Sequence, residues 1–291
     1  MKQALIKLHI SVFLAGFTGV LGALIQLNGA LLVWYRIMIT VATLFIWLSL
    51  KKKISLISAG NVFKLFGIGT LIALHWVCFY ASIKMANVSI GLVCFASVGV
   101  FTAILEPLLT VKKFSWPELV LGLISLLGIY LVFHFDTRYR NGIIVGIAGA
   151  VLCALFSVLN KKNVAIAPPQ TLMLYELSGG LLLLTLLMPV YLYYFPASYI
   201  FPTISDWGWL LILSWLCTVY AMNLMLQSLH KISAFTQMLS LNLEPVYGIV
   251  LAFLLFNENK ELQNSFYIGF GLIALSVILQ MARIMKRRSI I

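Results

Sequence analysis

Ten apolar runs of about twenty residues each follow one another through this chain with little between them. They cover residues 8–27, 31–50, 64–84, 89–111, 117–135, 142–160, 171–194, 207–229, 233–256 and 265–285. About 20 mostly apolar residues, at roughly 1.5 Å rise each, span a bilayer core of about 30 Å. Each run therefore reads as a membrane-crossing helix. The composition requires the same class: 62% of residues are hydrophobic, 10% are charged and the mean hydropathy is +1.05. A soluble domain carries about 25% charged residues, so this chain has too few to cover a soluble surface. The longest polar loops, around 51–63 and 195–206, leave no room for a soluble domain.

The net charge of +12 would point to nucleic acid in a soluble protein. Here the basic residues sit in short loops, where they set orientation and nucleic acid is not a partner. With the N-terminus inside, fifteen of the twenty Lys and Arg residues fall in inner segments. Lys84, Arg138, Arg140 and Lys260 fall outside, and Arg36 lies within a span. That bias places both termini in the cytoplasm of a multi-pass protein of the inner or plasma membrane, in agreement with an even number of spans. Lys2 and Lys7 precede the first run as in a signal peptide, but the run continues to about Leu27 with no small-residue cleavage site, so it reads as a retained span. Cys78, Cys94, Cys153 and Cys217 all lie inside spans, with no CxxC or Cys/His metal spacing.

The order of the spans repeats. Ile10–Gly22 aligns with Gly149–Lys161, Trp34-Tyr35-Arg36 with Leu174-Tyr175-Glu176, and Tyr80-Ala81 with Tyr220-Ala221. Val100-Phe101 then meets Val246-Tyr247, and the run from Gly122 meets that from Gly269, with the offset drifting from 139 to 147. Five spans per copy, an odd number, turn the second copy upside down relative to the first. Inverted repeats typically flank a midplane solute site, and one half rocks against the other. The similar Leu105-Glu106-Pro107 and Leu243-Glu244-Pro245 are not repeat partners, because their offset of 138 conflicts with the following span. Gly99 stands where the second copy has Pro245, so no matching kink is expected in the first copy.

Candidate functional residues are the polar ones at mid-depth. Ser233–Phe256 carries Gln237, Asn242, Glu244 and Pro245 near its centre. A carboxylate there costs about 3 kcal/mol or more on insertion scales and faces a polar cavity or a partner, while Pro245 frees the carbonyl of Leu241 and breaks the helix. Glu244 suits an amino group or a coupling proton; its structural alternative is a hydrogen bond bracing the break. His75, Trp76 and Tyr80 lie midway along the third span, where a histidine among aromatic rings fits an amino-acid or aromatic ligand; the alternative is a satisfied interhelical histidine. Tyr220 and Asn223 occupy the corresponding eighth span. Gln237 and Asn242 are readable as cavity residues or as hydrogen-bonding glue between helices. Arg36 and Glu176 occupy matching repeat positions, yet inversion sets them about 15 Å apart along the membrane normal. Arg36 is expected to snorkel or guard the outer mouth, with Glu176 and Glu106 near the inner one, in gating or structural roles.

The duplicated five-span unit, with Tyr-Ala before a loop and a glycine-bearing closing span, resembles the EamA-type branch of the drug/metabolite transporter superfamily. The segment LEPVYGIVLAFLLFNENKELQNSFYIGFGLI carries the resemblance most strongly, and nearly the whole chain shares it. The resemblance implies two EamA-like repeats, over 1–137 and 138–291, forming an all-α membrane protein of ten helices. Its central cavity would be lined mainly by the third, fourth, eighth and ninth helices. It implies a secondary transporter of a small metabolite, often an amino acid, working by alternating access and here expected to export. A flippase for lipids or lipid-linked sugars is the alternative. An intramembrane enzyme is less favoured, since such chemistry needs clustered acid/base or metal groups and the four histidines are scattered. No cofactor is expected, with proton coupling left open, and membrane lipids are the expected surroundings. Spans five and ten, rich in glycine and aliphatics, are the candidate surface for a homodimer.

Overall fold

The computed structural model describes residues 2–111, 113–135, 137–241 and 243–288. It is helical, with no strand among the described residues. The helices are α1 (Lys2–Leu24), α2 (Gly29–Leu50), α3 (Ala59–Met85), α4 (Val88–Phe95), α5 (Val98–Leu109), α6 (Trp116–Phe135) and α7 (Arg140–Asn163) in the first part of the chain. Then come α8 (Pro169–Tyr194), α9 (Ile204–Ser214), a π-helical segment (Trp215–Tyr220), α10 (Ala221–Leu229), α11 (Ala234–Leu241), α12 (Glu244–Phe256) and α13 (Asn264–Arg288). Among the described residues, seven segments are long and apolar enough to cross a membrane: Gln3–Leu24, Gly29–Leu50, Ala59–Met85, Val88–Leu109, Arg140–Asn163, Pro169–Tyr194 and Ile204–Leu229. Trp116–Leu131, Glu244–Phe256 and Asn264–Ser276 are shorter apolar helices.

Helix starts follow the local chemistry. The side chain of Asn28 accepts from Leu31 N–H at 2.9 Å, and that of Asn87 from Ile90 N–H at 2.8 Å, each satisfying one of the donors a helix leaves free at its first turn. Thr203 and Asp206 form a reciprocal capping box on α9.

Packing follows the repeat. α3 lies on α7 as α1 lies on α10, and α3 meets α8 as α2 meets α9. α4 and α5 pack on α7 as α11 and α12 pack on α1. Exchanging the halves maps this pattern onto itself: α2–α8 and α6–α13 pair corresponding elements, and α4–α12 is matched by α5–α11. The tightest approach is between α3 and α8. A Cβ on Gly69 would lie 1.6 Å from the carbonyl oxygen of Glu176, so only glycine allows these backbones to meet.

Both copies break their fourth element, contrary to the expectation from Gly99. In the second copy the break falls between α11 and α12, just before Pro245. In the first copy it falls at Ala96 and Ser97, between α4 and α5. There the Ser97 hydroxyl donates to the carbonyl of Cys94 at 2.7 Å, and the Ala96 N–H is shared between Leu92 and Val93 carbonyls. Back-bonding of a serine to the preceding turn bends a helix without any proline.

Candidate binding site

A cavity of about 90 Å³ lies between the two halves. α1 contributes Ser11, Ala15 and Thr18, α2 contributes Arg36, and α3 contributes Ile72, His75, Trp76 and Phe79. Phe95 closes it from α4, and Cys153 and Phe156 from α7. The remaining wall is Cys217, Ala221, Met222 and Met225 from the eighth span, with Leu241 and Glu244 at the α11–α12 break.

Two charged groups of opposite sign face this apolar and aromatic space. Arg36 is 3% exposed, and several groups hold its guanidinium. Nε donates to Thr218 Oγ1 at 2.8 Å, Nη1 donates to the Tyr80 hydroxyl at 2.9 Å, and the group lies 3.8 Å over the Trp76 ring. Such burial corrects the expectation that Arg36 snorkels. Its partners lie inside the bundle, and they hold the charge at the cavity wall.

The π-helical segment explains the position of Thr218. One residue is accommodated by a widened turn, in which Thr218 Oγ1 donates to the Leu213 carbonyl at 2.8 Å while accepting from Arg36. Such π-turns are frequent at functional sites. Neither Thr218 nor Thr18 stands out in the sequence; a hydroxyl in an apolar span is too common to mark a site.

Glu244 begins α12 at the break, is buried, and accepts from the Thr18 hydroxyl at 3.2 Å. It is near enough to Arg36 to interact electrostatically. Among the described residues the two form no ion pair, so both charges stay directed at the cavity. His75 Nδ1 lies 2.9 Å from the carbonyl oxygen of Gly149, and a carbonyl can only accept, so Nδ1 carries the proton. The ring sits beside Phe79 and Phe95.

The other sequence candidates are distributed around this centre. Tyr80 is fully buried behind the wall, against Arg36. Tyr220 is 48% exposed, and Asn223 accepts from Gln170 at 2.8 Å; neither reaches the cavity. Gln237 donates to the Met225 carbonyl at 3.2 Å and accepts from Ser157 at 3.4 Å, tying α11 to α10 and α7 just beyond the lining. Pro245 sits in the first turn of α12, where a proline needs no donor. Asn242 lies outside the described residues. Glu106 is buried in α5, and Glu176 is buried in α8, where it accepts from Asn160 Nδ2 at 3.2 Å. Neither of these two acids lines the cavity.

The sequence profile of the EamA-like transporter family matches residues 3–134 and again residues 140–281. Among curated proteins no sequence matches this chain. A solved structure described as "Crystal structure of protein" superposes with a TM-score of 0.70 at 17% identity, covering 99% of each chain. At that identity the likeness is one of fold. Two copies of the family's unit, a fold shared end to end and a cavity between the halves lead to one assignment: the chain belongs to the EamA-like transporter family, whose members are membrane transporters rather than enzymes.

Proposed function

We propose that this protein is a secondary transporter that exports a small metabolite, an amino acid or a related compound, across the inner or plasma membrane. In this reading the three shorter apolar helices cross the bilayer with the seven longer segments, giving ten crossings as two inverted repeats of five. Both termini then lie in the cytoplasm, as the positive-inside bias indicates. The observation that carries the substrate class is the pair of opposite charges, Arg36 and Glu244, on one aromatic-lined cavity. A carboxylate meets the free part of the Arg36 fork, an ammonium meets Glu244, and an apolar side chain meets Phe79, Phe95 and Phe156.

The size of the cavity supports alternating access. A volume of about 90 Å³ is well below the roughly 300–1,000 Å³ of ordinary ligand pockets. Substrate entry therefore requires the halves to part, and they are the units that would rock.

A thermal-shift screen of the purified protein in detergent tests this reading, using amino acids, polyamines, nucleosides, cationic drugs and lipid-linked sugars. A ligand that binds only the folded state stabilises it by RT ln(1 + [L]/Kd). Amino acids should raise the melting temperature of the wild type and not of Arg36→Leu or Glu244→Gln. A shift only with lipid-linked sugars would replace the metabolite with a flippase substrate.

A further inference from the structure

Glu176 and Asn160 present a hydrogen-bonding problem that one proton solves. Both side chains are buried, at 0% and 1% exposure. Asn160 Nδ2 donates to Glu176 Oε2 at 3.2 Å. The other oxygen of each group, Glu176 Oε1 and Asn160 Oδ1, has no hydrogen-bond partner among the described residues. A buried ionised carboxylate holding a single bond from a neutral amide is among the least favourable arrangements a protein interior offers. The orphaned Asn160 Oδ1 adds a further buried acceptor without a donor.

Among the described residues no neighbouring charge relieves it. α8 packs against α2, α3 and α10, and Asn160 reaches it from α7. On α2, Arg36 is bound to Thr218 and Tyr80, and Tyr35 packs against Trp34 and Trp207. On α3, His75 is bound to Gly149, Tyr80 to Arg36, Lys84 to the carbonyl of Ile25, and Lys64 is exposed. α10 carries no ionisable residue. On α7, Lys161 donates to the Leu229 carbonyl at 2.6 Å, Lys162 is exposed, and Arg140 begins the helix at its far end. The thiols of Cys78 on α3 and Cys153 on α7 are free, and Tyr175, beside Glu176 on α8, bonds the Ser55 carbonyl.

We propose that Glu176 and Asn160 form a proton-binding site, in which a proton on Glu176 Oε1 is donated to Asn160 Oδ1. The acid and the amide then share two hydrogen bonds, and both orphaned oxygens are satisfied at once. The site lies one helical turn along α7 from Phe156 in the cavity wall, a distance of about 6 Å. On the backbone side, Gly69 of α3 packs directly against Glu176. Loss of the proton leaves a buried charge that only water or separation of α7 from α8 relieves. On the transport reading above, proton release is therefore tied to the movement that opens the halves, and Glu176 couples the two.

Infrared spectroscopy of the full-length protein in detergent tests the site without needing a substrate. At neutral pH the wild type should show the C=O stretch of a protonated carboxylic acid. That band should vanish in Glu176→Gln and persist in Glu244→Gln. Glutamine keeps both hydrogen bonds to Asn160, so Glu176→Gln should fold with an unchanged melting temperature. Asn160→Leu should retain the band and shift its frequency, because the carbonyl loses its amide donor. A spectrum unchanged by Glu176→Gln, or a band indifferent to Asn160→Leu, overturns the proposal. In proteoliposomes given a labelled amino-acid mixture, Glu176→Gln should retain exchange and lose accumulation driven by a pH gradient. Accumulation that survives in Glu176→Gln would overturn the coupling role. Absence of exchange in the wild type would overturn the transport reading, while the infrared band would still decide whether the proton site exists.

Discussion

The guanidinium of Arg36 lies 3.8 Å above the indole ring of Trp76, joining α2 to α3 at the cavity wall. A buried cation over the best of the aromatic faces is worth about 0.5–2 kcal/mol. A double-mutant cycle of Arg36→Leu and Trp76→Leu, followed by unfolding in detergent, should show a coupling energy of about that size. Additive effects would mean that the stack is only a consequence of packing. Trp76→Leu should also weaken amino-acid binding, because the guanidinium loses the face that orients it.

Thr218 relates the π-turn to Arg36 through a single hydroxyl. Thr218→Val keeps the shape and removes both the acceptor for Arg36 Nε and the donor to Leu213. A hydrogen bond to a charged group is worth about 1.5–3 kcal/mol, so a lowered melting temperature is expected. Thr218→Ser should restore most of it. If valine is as stable as threonine, the hydroxyl does not hold the arginine.

Gly69 and Gly67 sit two residues apart on α3 and should respond in opposite ways. A Cβ at Gly69 would meet the Glu176 backbone, which cannot yield, whereas a Cβ at Gly67 meets nothing within 4 Å. Gly69→Ala should destabilise by at least the roughly 1–3 kcal/mol typical of overpacking. Gly67→Ala should be neutral or stabilising by up to about 1 kcal/mol through helix propensity. Melting curves of the two variants in detergent are the measurement that separates them.

The membrane class and the two-copy order were legible in the sequence because they depend on long runs of residue type. Apolar runs and a drifting offset survive substitution at any single position. The cavity was legible in part. Glu244, His75 and Trp76 are conspicuous as polar or aromatic groups at mid-depth, and the structure brings them to one space. Arg36 does not snorkel, because depth counted in residues says nothing about which partners a long side chain finds. Thr218 depends on a π-turn that leaves no periodic trace. The break at Ser97 shows the same limit, since a serine that bends a helix looks like any serine in an apolar run.

Glu258 ties the two halves together away from the cavity. It belongs to the turn after α12 and is buried at the start of α4, where its carboxylate accepts from Val88 N–H at 3.0 Å and Ser89 N–H at 2.9 Å. The Ser89 hydroxyl adds a third bond at 2.5 Å. An acid here satisfies free donors of the α4 terminus and meets the positive end of its dipole. The turn is set by Asn257, at a φ of 54°, a left-handed conformation that asparagine tolerates better than most residues. In the proposed orientation this contact closes the outer face. Glu258→Ala should therefore lower stability by about 1–3 kcal/mol and favour the outward-open state. The second effect is measurable with Asn87→Cys in a cysteine-free background, labelled from outside by a membrane-impermeant maleimide. Labelling should be faster when Glu258→Ala is added. If Glu258→Ala lowers the melting temperature and leaves labelling unchanged, the carboxylate caps α4 without gating the outer face.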